Sequence, residues 1–222
     1  MAVQTDFLRD VPYFSGLDTA QLASIGNRIF QKTADRAEII SLEGEGATSL
    51  YLVASGVVKV FKTSAEGKEQ IISIVRPGES FNDVPVFDGG PNPVSARAMG
   101  PVLLYGISGD DMRSILREHP GVAVNVVVTL ARRVRHLLGL VEDLSFKHVI
   151  GRVARILLEH AARDRDPGPR LTQQEMAAMA GTVREVVGRS LKALADEGVI
   201  RLDRNRIVII DEEALQKMME AS

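Results

Sequence analysis

Residues 171–194, LTQQEMAAMAGTVREVVGRSLKAL, constrain this chain more than any other stretch. Two amphipathic helical patterns meet at Gly181, and a residue free to take positive φ is what a tight turn between crossed helices requires. Thr172 and Glu175 open the first pattern, Thr182 and Glu185 the second, so each helix is expected to begin with a reciprocal capping box. Val183, Val186, Val187, Leu191 and Leu194 share one face of the second helix, where they can dock on Met176, Ala177 and Ala180 of the first. Arg184, Glu185, Gly188 and Arg189 fall within an arc of about 140° on the other side. A guanidinium matches the O6/N7 edge of guanine, and a carboxylate accepts from the cytosine amino group. A glycine among them permits close approach. The stretch has the form of a helix-turn-helix that reads a major groove, with Thr172, Gln174 and Thr182 as further contacts. An ordinary exposed helix would also carry Glu185 and Arg189 as an i,i+4 ion pair. The next segment favours DNA. After Asp196-Glu-Gly198, VIRLD and RIVIID alternate on either side of Arg204-Asn205, the pattern of a two-stranded β-wing.

Global charge neither supports nor opposes that reading. The net charge is −2, and between Arg170 and Arg206 seven Arg/Lys stand against five Asp/Glu, so any basic footprint is local. The absence of cysteine is more decisive: it excludes disulfides, thiolate zinc sites and cysteine-ligated iron–sulfur clusters. The N-terminal MAVQTDFLRDVPYF lacks a signal-peptide core, and the longest apolar run, VAVNVVVTLA, is too short to cross a bilayer. A cytoplasmic protein with no membrane partner is expected.

Upstream, residues 6–33 carry helical spacing (Phe7, Leu8, Leu17, Leu22, Ile25, Ile29) broken by Pro12 and Gly16, and predict short helices covering one end of a sheet. From Ala37 to Ile107 the pattern turns to short β runs: EIISL, SLYLVAS, VVKVFKT, EQIISIV, PVSARA and VLLYGI, separated by Gly-containing turns. Such spacing predicts a sandwich or barrel. No catalytic constellation and no metal-spaced set occurs among them, so an enzyme is not expected. Beyond Pro120-Gly121, Ala123, Val127, Leu130, Val134, Leu137, Val141 and Leu144 recur at alternating spacings of four and three. That is a heptad seam, and Val alternating with Leu suits a parallel two-stranded coil, hence a homodimer. Ser145–His148 is expected to be a hinge, Val149–Ala162 a further helix, and RDRDPGPR an exposed loop.

A β-rich sensor, a coiled-coil helix, a hinge and a C-terminal winged helix together resemble the CRP/FNR family of bacterial transcription regulators. The resemblance covers nearly the whole chain and is strongest in TQQEMAAMAGTVREVVGRSLKALADEGVI, including Arg184, Glu185 and Arg189. SLYLVASGVVKVFKTSAEGKEQIISIVRPGESF is similar to the family's sensor. The implied fold is α+β: a jelly-roll sensor at 1–110, a dimerisation helix and hinge at 111–146, and a winged helix-turn-helix at 147–222. The implied function is binding of TGTGA-like inverted repeats, with RNA polymerase as a partner and a small-molecule effector as a regulator.

Departures from the family pattern bear on that effector. Cyclic-AMP-binding members carry a Gly-Glu pair after the sensor's Gly-Glu turn and then an Arg-Ser pair for the cyclic phosphate. Aligned without gaps, this chain has Asn82-Asp83 at the first pair and Pro93-Val94 at the second. Where the family's long helix contacts adenine with polar residues, Leu137 and Leu138 stand here. Buried phosphate without a cation or donors pays a desolvation cost that nothing offsets. Cyclic AMP is therefore not expected, unless a slip in register brings Ser95 and Arg97 to the phosphate. Haem, another apolar small molecule, or no ligand at all remain. His119 suits a turn or helix cap, His136 an exposed helix face, and His148 the start of the helix after the hinge.

Overall fold

The computed structural model describes residues 5–162, 171–203 and 206–220. Helices α1 (Thr5–Asp10) and α2 (Thr19–Gly26), separated by a 3-10 turn at Pro12–Phe14, lead into β1 (Ile29–Ala34), β2 (Ile39–Ser41), β3 (Ser49–Ser55), β4 (Val58–Thr63), β5 (Glu69–Val75) and β6 (Ser80–Phe81). Helix α3 (Asp83–Asp88) separates these from β7 (Ser95–Ala98) and β8 (Val102–Ser108). Helices α4 (Gly109–Glu118), α5 (Pro120–Phe146), α6 (Val149–Ala162), α7 (Gln173–Ala180) and α8 (Arg184–Asp196) follow, then β9 (Ile200–Asp203), β10 (Arg206–Ile209) and α9 (Glu212–Glu220).

The strands form two four-stranded sheets, ordered β1-β8-β3-β6 and β2-β7-β4-β5, and their neighbouring strands run antiparallel where register is defined. Period-two alternation in β3 explains the layering. Val53 points into an apolar layer between the sheets with Val58, Val60, Val75, Ala96 and Leu104. Leu50 and Leu52 point the other way, against Leu8, Tyr13, Phe14, Leu22, Met112 and Val122 from the helices. Both leucines are fully buried, which contributes on the order of 2 kcal/mol each. Strand β8 is covered on both sides in the same manner, with Leu104 in one layer and Ile107 in the other.

One local expectation needs correction, and two regions hold elements that the sequence pattern does not predict. Residues 29–34 form strand β1 rather than continuing the helical pattern, because a full ladder from Ile29–Ile107 to Ala34–Val102 outweighs the spacing of Ile29 from Ile25. The unpatterned stretch after Gly78 holds the short β6 and α3. The chain's last apolar residues form α9, whose Leu215 is buried among α6 and α8 and whose first turn is capped by the Asp211 carboxylate, accepting from Ala214 N at 2.9 Å. Arg204-Asn205 and RDRDPGPR lie outside the described residues.

The chain divides into two compact units, residues 1–62 with 72–135, and residues 63–71 with 136–222, so the division falls within α5. The second unit has its own core, in which Val153, Leu157, Met176, Ala180, Val187 and Leu191 close a bundle of α6, α7 and α8 beneath the β9–β10 wing. Arg206 pairs with Asp203 and Ile209 with Ile200 across that wing.

Two turn glycines allow the backbone's demands to be measured. Gly56 has φ of +82°, and a Cβ there would meet the Pro101 carbonyl oxygen at 2.4 Å and Val102 Cγ1 at 2.7 Å. Gly67 has φ of +81° with nothing within 4 Å of such a Cβ. Gly67→Ala is expected to cost only the left-handed penalty, about 1–2 kcal/mol. Gly56→Ala adds an overpacking clash against backbone, for a total of roughly 2–5 kcal/mol. Urea unfolding followed by circular dichroism should separate the two, and equal midpoints would contradict the packing described here.

Candidate DNA interface and sensor pocket

The helix-turn-helix is assembled as its sequence directs, with one exception. Thr172 Oγ1 accepts from Glu175 N at 3.2 Å, Glu175 Oε2 accepts from Thr172 N at 2.7 Å, and the first capping box is complete. Helix α7 ends on Gly181 at φ of 65°, and Thr182 N then donates to the Ala177 carbonyl at 3.0 Å. The second capping box does not form. The turn leaves Val183, not Thr182, as N-cap of α8, and Val183 offers its carbonyl to Val186 and Val187 but no side-chain cap. Glu185 is thereby left exposed near the start of α8. Val187, Leu191 and Leu194 are buried as expected, whereas Val183 is half exposed and Val186 only partly covered.

Arg184, Glu185 and Arg189 all face solvent, with Gly188 between them. A Cβ at Gly188 would stand 3.7 Å from Gln173 Oε1, so the glycine opens the outer surface without relieving a clash. Thr172 and Gln174 are exposed and Thr182 partly so, all at the α7–α8 corner. Lys192, one turn beyond Arg189, is exposed too. Sequence reasoning passed over it, although its spacing from Arg189 places it on the same side of the helix.

Along α5, Val124, Val127, Val134, Leu138 and Val141 are each more than half exposed, with Leu137 and Leu144 at 44%. The expected seam residue Leu130 differs: it is partly buried against the core of α1, α2 and β3. Leu137 and Leu138, both expected in an effector pocket, belong to this exposed apolar stripe. At its C-terminal end α5 stops at Phe146, and an ion-pair cluster frames the break before α6. The buried Asp143 carboxylate accepts from Arg155 Nη1 and sits 3.0 Å from Lys147 Nζ. Arg152 donates from Nη1 to the Lys147 carbonyl at 2.5 Å and from Nε to the Ala180 carbonyl at 2.7 Å. Burial opposes the Arg155 charge, yet hydrogen bonding by Glu159 and the nearby Asp143 carboxylate leave its pKa raised.

The first unit contains a cavity of about 120 Å³ whose lining includes Ser80, Asn82, Asp83, Pro93, Val94 and Arg133. Asn82 adopts φ of 66°, a left-handed conformation that asparagine tolerates, and its Nδ2 donates to the Ser49 carbonyl at 3.1 Å. Ser95 and Arg97 are not among the lining residues. Ser95 Oγ instead accepts from Glu43 N at 3.0 Å, and the Arg97 guanidinium lies 4.7 Å from the Phe61 ring centre. The cation in the cavity wall is Arg133 from α5, a residue the heptad reading passed over. Its Nη1 donates to Asp83 Oδ2, and its Nη2 donates to the Ser80 carbonyl at 2.5 Å and to Ser80 Oγ at 2.7 Å. Tyr13 donates its hydroxyl to the other oxygen, Asp83 Oδ1, at 2.6 Å. Burial, then the Asp83 charge, push the Tyr13 phenol far above its ordinary pKa, so it stays a donor. Burial works against the Arg133 charge, but Asp83 and its neighbours outweigh it and the pKa rises.

His119 caps the C-terminus of α4, His136 is exposed on α5, and His148 is exposed just before α6. Among the described residues no group of three His, Cys, Asp or Glu could hold a metal ion, and no helix is long and apolar enough to cross a membrane.

Comparison with known proteins places both units. Residues 31–119 match the cyclic nucleotide-binding domain family, and residues 151–218 match the Crp-like helix-turn-helix domain family. The chain is 31% identical over 211 residues to a CRP-like cAMP-activated global transcriptional regulator of Mycobacterium tuberculosis, covering 92% of this chain and 94% of that protein. It is 32% identical over 211 residues to a cyclic AMP receptor protein of Thermus thermophilus, covering 95% of this chain and 98% of that protein. The solved structure of FixK2 from Bradyrhizobium japonicum superposes with a TM-score of 0.78 at 23% identity, covering 87% of this chain and 98% of that one. The Thermus thermophilus catabolite activator protein superposes with a TM-score of 0.56 at 32% identity, covering 94% of this chain and 98% of that one.

The cluster at the α5–α6 break yields a direct test. Asp143→Ala would leave Arg155 and Lys147, 22% and 18% exposed, without their buried counter-charge. The expected loss is about 2–4 kcal/mol, read as a lower unfolding midpoint. A change under about 0.5 kcal/mol, the scale of ordinary surface substitutions, would show that the cluster is only surface decoration.

Proposed function

Because the chain belongs to the CRP/FNR family of transcription regulators and carries that family's helix-turn-helix DNA-binding domain, we propose that it is a homodimer whose α8 helices read two TGTGA-like half-sites of an inverted repeat. The observation that carries this reading is the outward set Arg184, Glu185 and Arg189 around Gly188. Bidentate arginine–guanine and carboxylate–cytosine pairing is what such a face can do chemically. A helix built for protein contact would present aromatic or Met anchors, and this face presents charge. That favours DNA reading over an interaction module; gene regulation in the cytoplasm with RNA polymerase as partner, rather than enzymatic chemistry, is the reading that family membership supports.

Dimerisation is supported by the α5 stripe. A row of valines and leucines more than 40% exposed along one helix is an apolar surface that a monomer does not leave in water, and four-three spacing suits a second copy of the same helix. Effector control by cyclic AMP is not favoured here, although the relatives' names carry it. Pro93 and Val94 supply neither charge nor hydroxyl to the cavity, whose volume of about 120 Å³ is well below the roughly 300–1,000 Å³ of drug-sized ligand sites.

Two outcomes are expected. Arg184→Ala or Arg189→Ala should each weaken binding to a TGTGA-type repeat by about 1–3 kcal/mol and binding to random duplex far less, measured by fluorescence anisotropy. Equal losses on both duplexes would reduce these arginines to phosphate contacts. Val134→Glu would bury two carboxylates without counter-ions across the seam at a cost of several kcal/mol, and should yield monomers that lose the repeat. Sedimentation showing an intact dimer would remove Val134 from the interface.

A further inference from the structure

The cavity of the sensor unit already holds its ion pair. Asp83 is 2% exposed, and both of its carboxylate oxygens are engaged, one by Tyr13 from the 3-10 turn and the other by Arg133 from α5. Arg133 is engaged in turn: its second terminal nitrogen donates to both the carbonyl and the hydroxyl of Ser80. One carboxylate thus ties together the N-terminal turn, the start of α3 and the long helix.

An anionic effector entering this cavity needs a cation, and among the lining residues Arg133 is the cation present. Taking it would leave the Asp83 carboxylate buried, stripped of its counter-charge, and beside a second anion. Neither partner of a buried pair can be removed cheaply, because the charge left behind has no water to solvate it. The remaining wall offers no second cation, only the hydroxyls of Ser73 and Ser80, the latter already bonded to Arg133. Phe81, Val84, Pro93 and Val94 are apolar, and the Asn82 amide nitrogen is already committed to the Ser49 carbonyl.

Building on the regulator reading above, we propose that Asp83 serves as the sensor's internal ligand. Its carboxylate occupies the site on Arg133 that an effector anion would take, and the protein binds its operator with no cyclic nucleotide or other small anion. Arg133 lies on the helix that runs on to Phe146, so the pair fixes the N-terminal half of α5 in the absence of a small molecule. An added anion can shift an equilibrium only through differential affinity for its two states, and a site closed by its own carboxylate offers none.

The test uses full-length protein denatured, dialysed and refolded to strip small molecules, with anisotropy against a TGTGA-type inverted repeat and against random duplex. The stripped protein should prefer the repeat, and 1 mM cyclic AMP should change its affinity by less than about twofold. Asp83→Asn and Arg133→Gln should each weaken repeat binding at least about tenfold, the scale of 1.4 kcal/mol. The charge exchange D83R/R133D should recover most of that loss. Sedimentation and circular dichroism on each variant separate loss of the pair from loss of fold, and if a variant misfolds the stripped wild-type measurement decides alone. Specific binding that arises only after cyclic AMP or a cell-extract small-molecule fraction is added overturns the internal-ligand proposal and leaves the regulator reading standing. So does wild-type affinity in D83N. Failure to enrich any duplex from a random pool, with or without those additions, overturns both.

Discussion

A strand can be buried on both faces only if something apolar covers each, and β3 with its neighbour β8 imposes that requirement on the whole N-terminal unit. Leu50 and Leu52 on one side and Val53 on the other are all fully buried. The second sheet satisfies one face. The other is satisfied by helices drawn from two distant parts of the chain, the N-terminal α1 and α2 and the later α4 and α5. The long helix is therefore anchored by Val122 and Val126 in the core of the first unit, on the face opposite the exposed Val124 and Val127. Leu130 packs in part against the same core, a contact that a heptad count alone does not show.

Beyond the anchor, α5 carries two kinds of unfinished business. Several of its valines and leucines are exposed, and the proposed coiled coil with a second copy would cover them. Its polar side delivers Arg133 to Asp83 at mid-helix and Asp143 to Arg155 near the C-terminal end.

Much of this was legible in the sequence because it rests on local periodicity. The strands SLYLVAS and EQIISIV and the helix Val149–Ala162 coincide with the observed elements. The first capping box is present to the atom. The second failed for a reason that spacing cannot show: the turn at Gly181 spends the Thr182 amide on the Ala177 carbonyl, so the helix begins one residue later. The Arg133–Asp83 pair joins residues 50 positions apart and obeys no period, so only the fold could reveal it. Strand β1 was hidden likewise, since its signal is the ladder it makes with β8, far along the chain. Asn82 lies between these cases. It aligns with a family glycine, and its left-handed φ shows why either residue suits the position.

The central claim is that α8 reads base edges in the major groove rather than only tracking phosphates. Methylation interference on a bound TGTGA-type repeat tests it most directly, because a methyl group on guanine N7 blocks the acceptor that an arginine fork would use. The account predicts interference at guanines in two patches about one helical turn apart, related by the symmetry of the repeat. Binding that tolerates methylation at every guanine would contradict it.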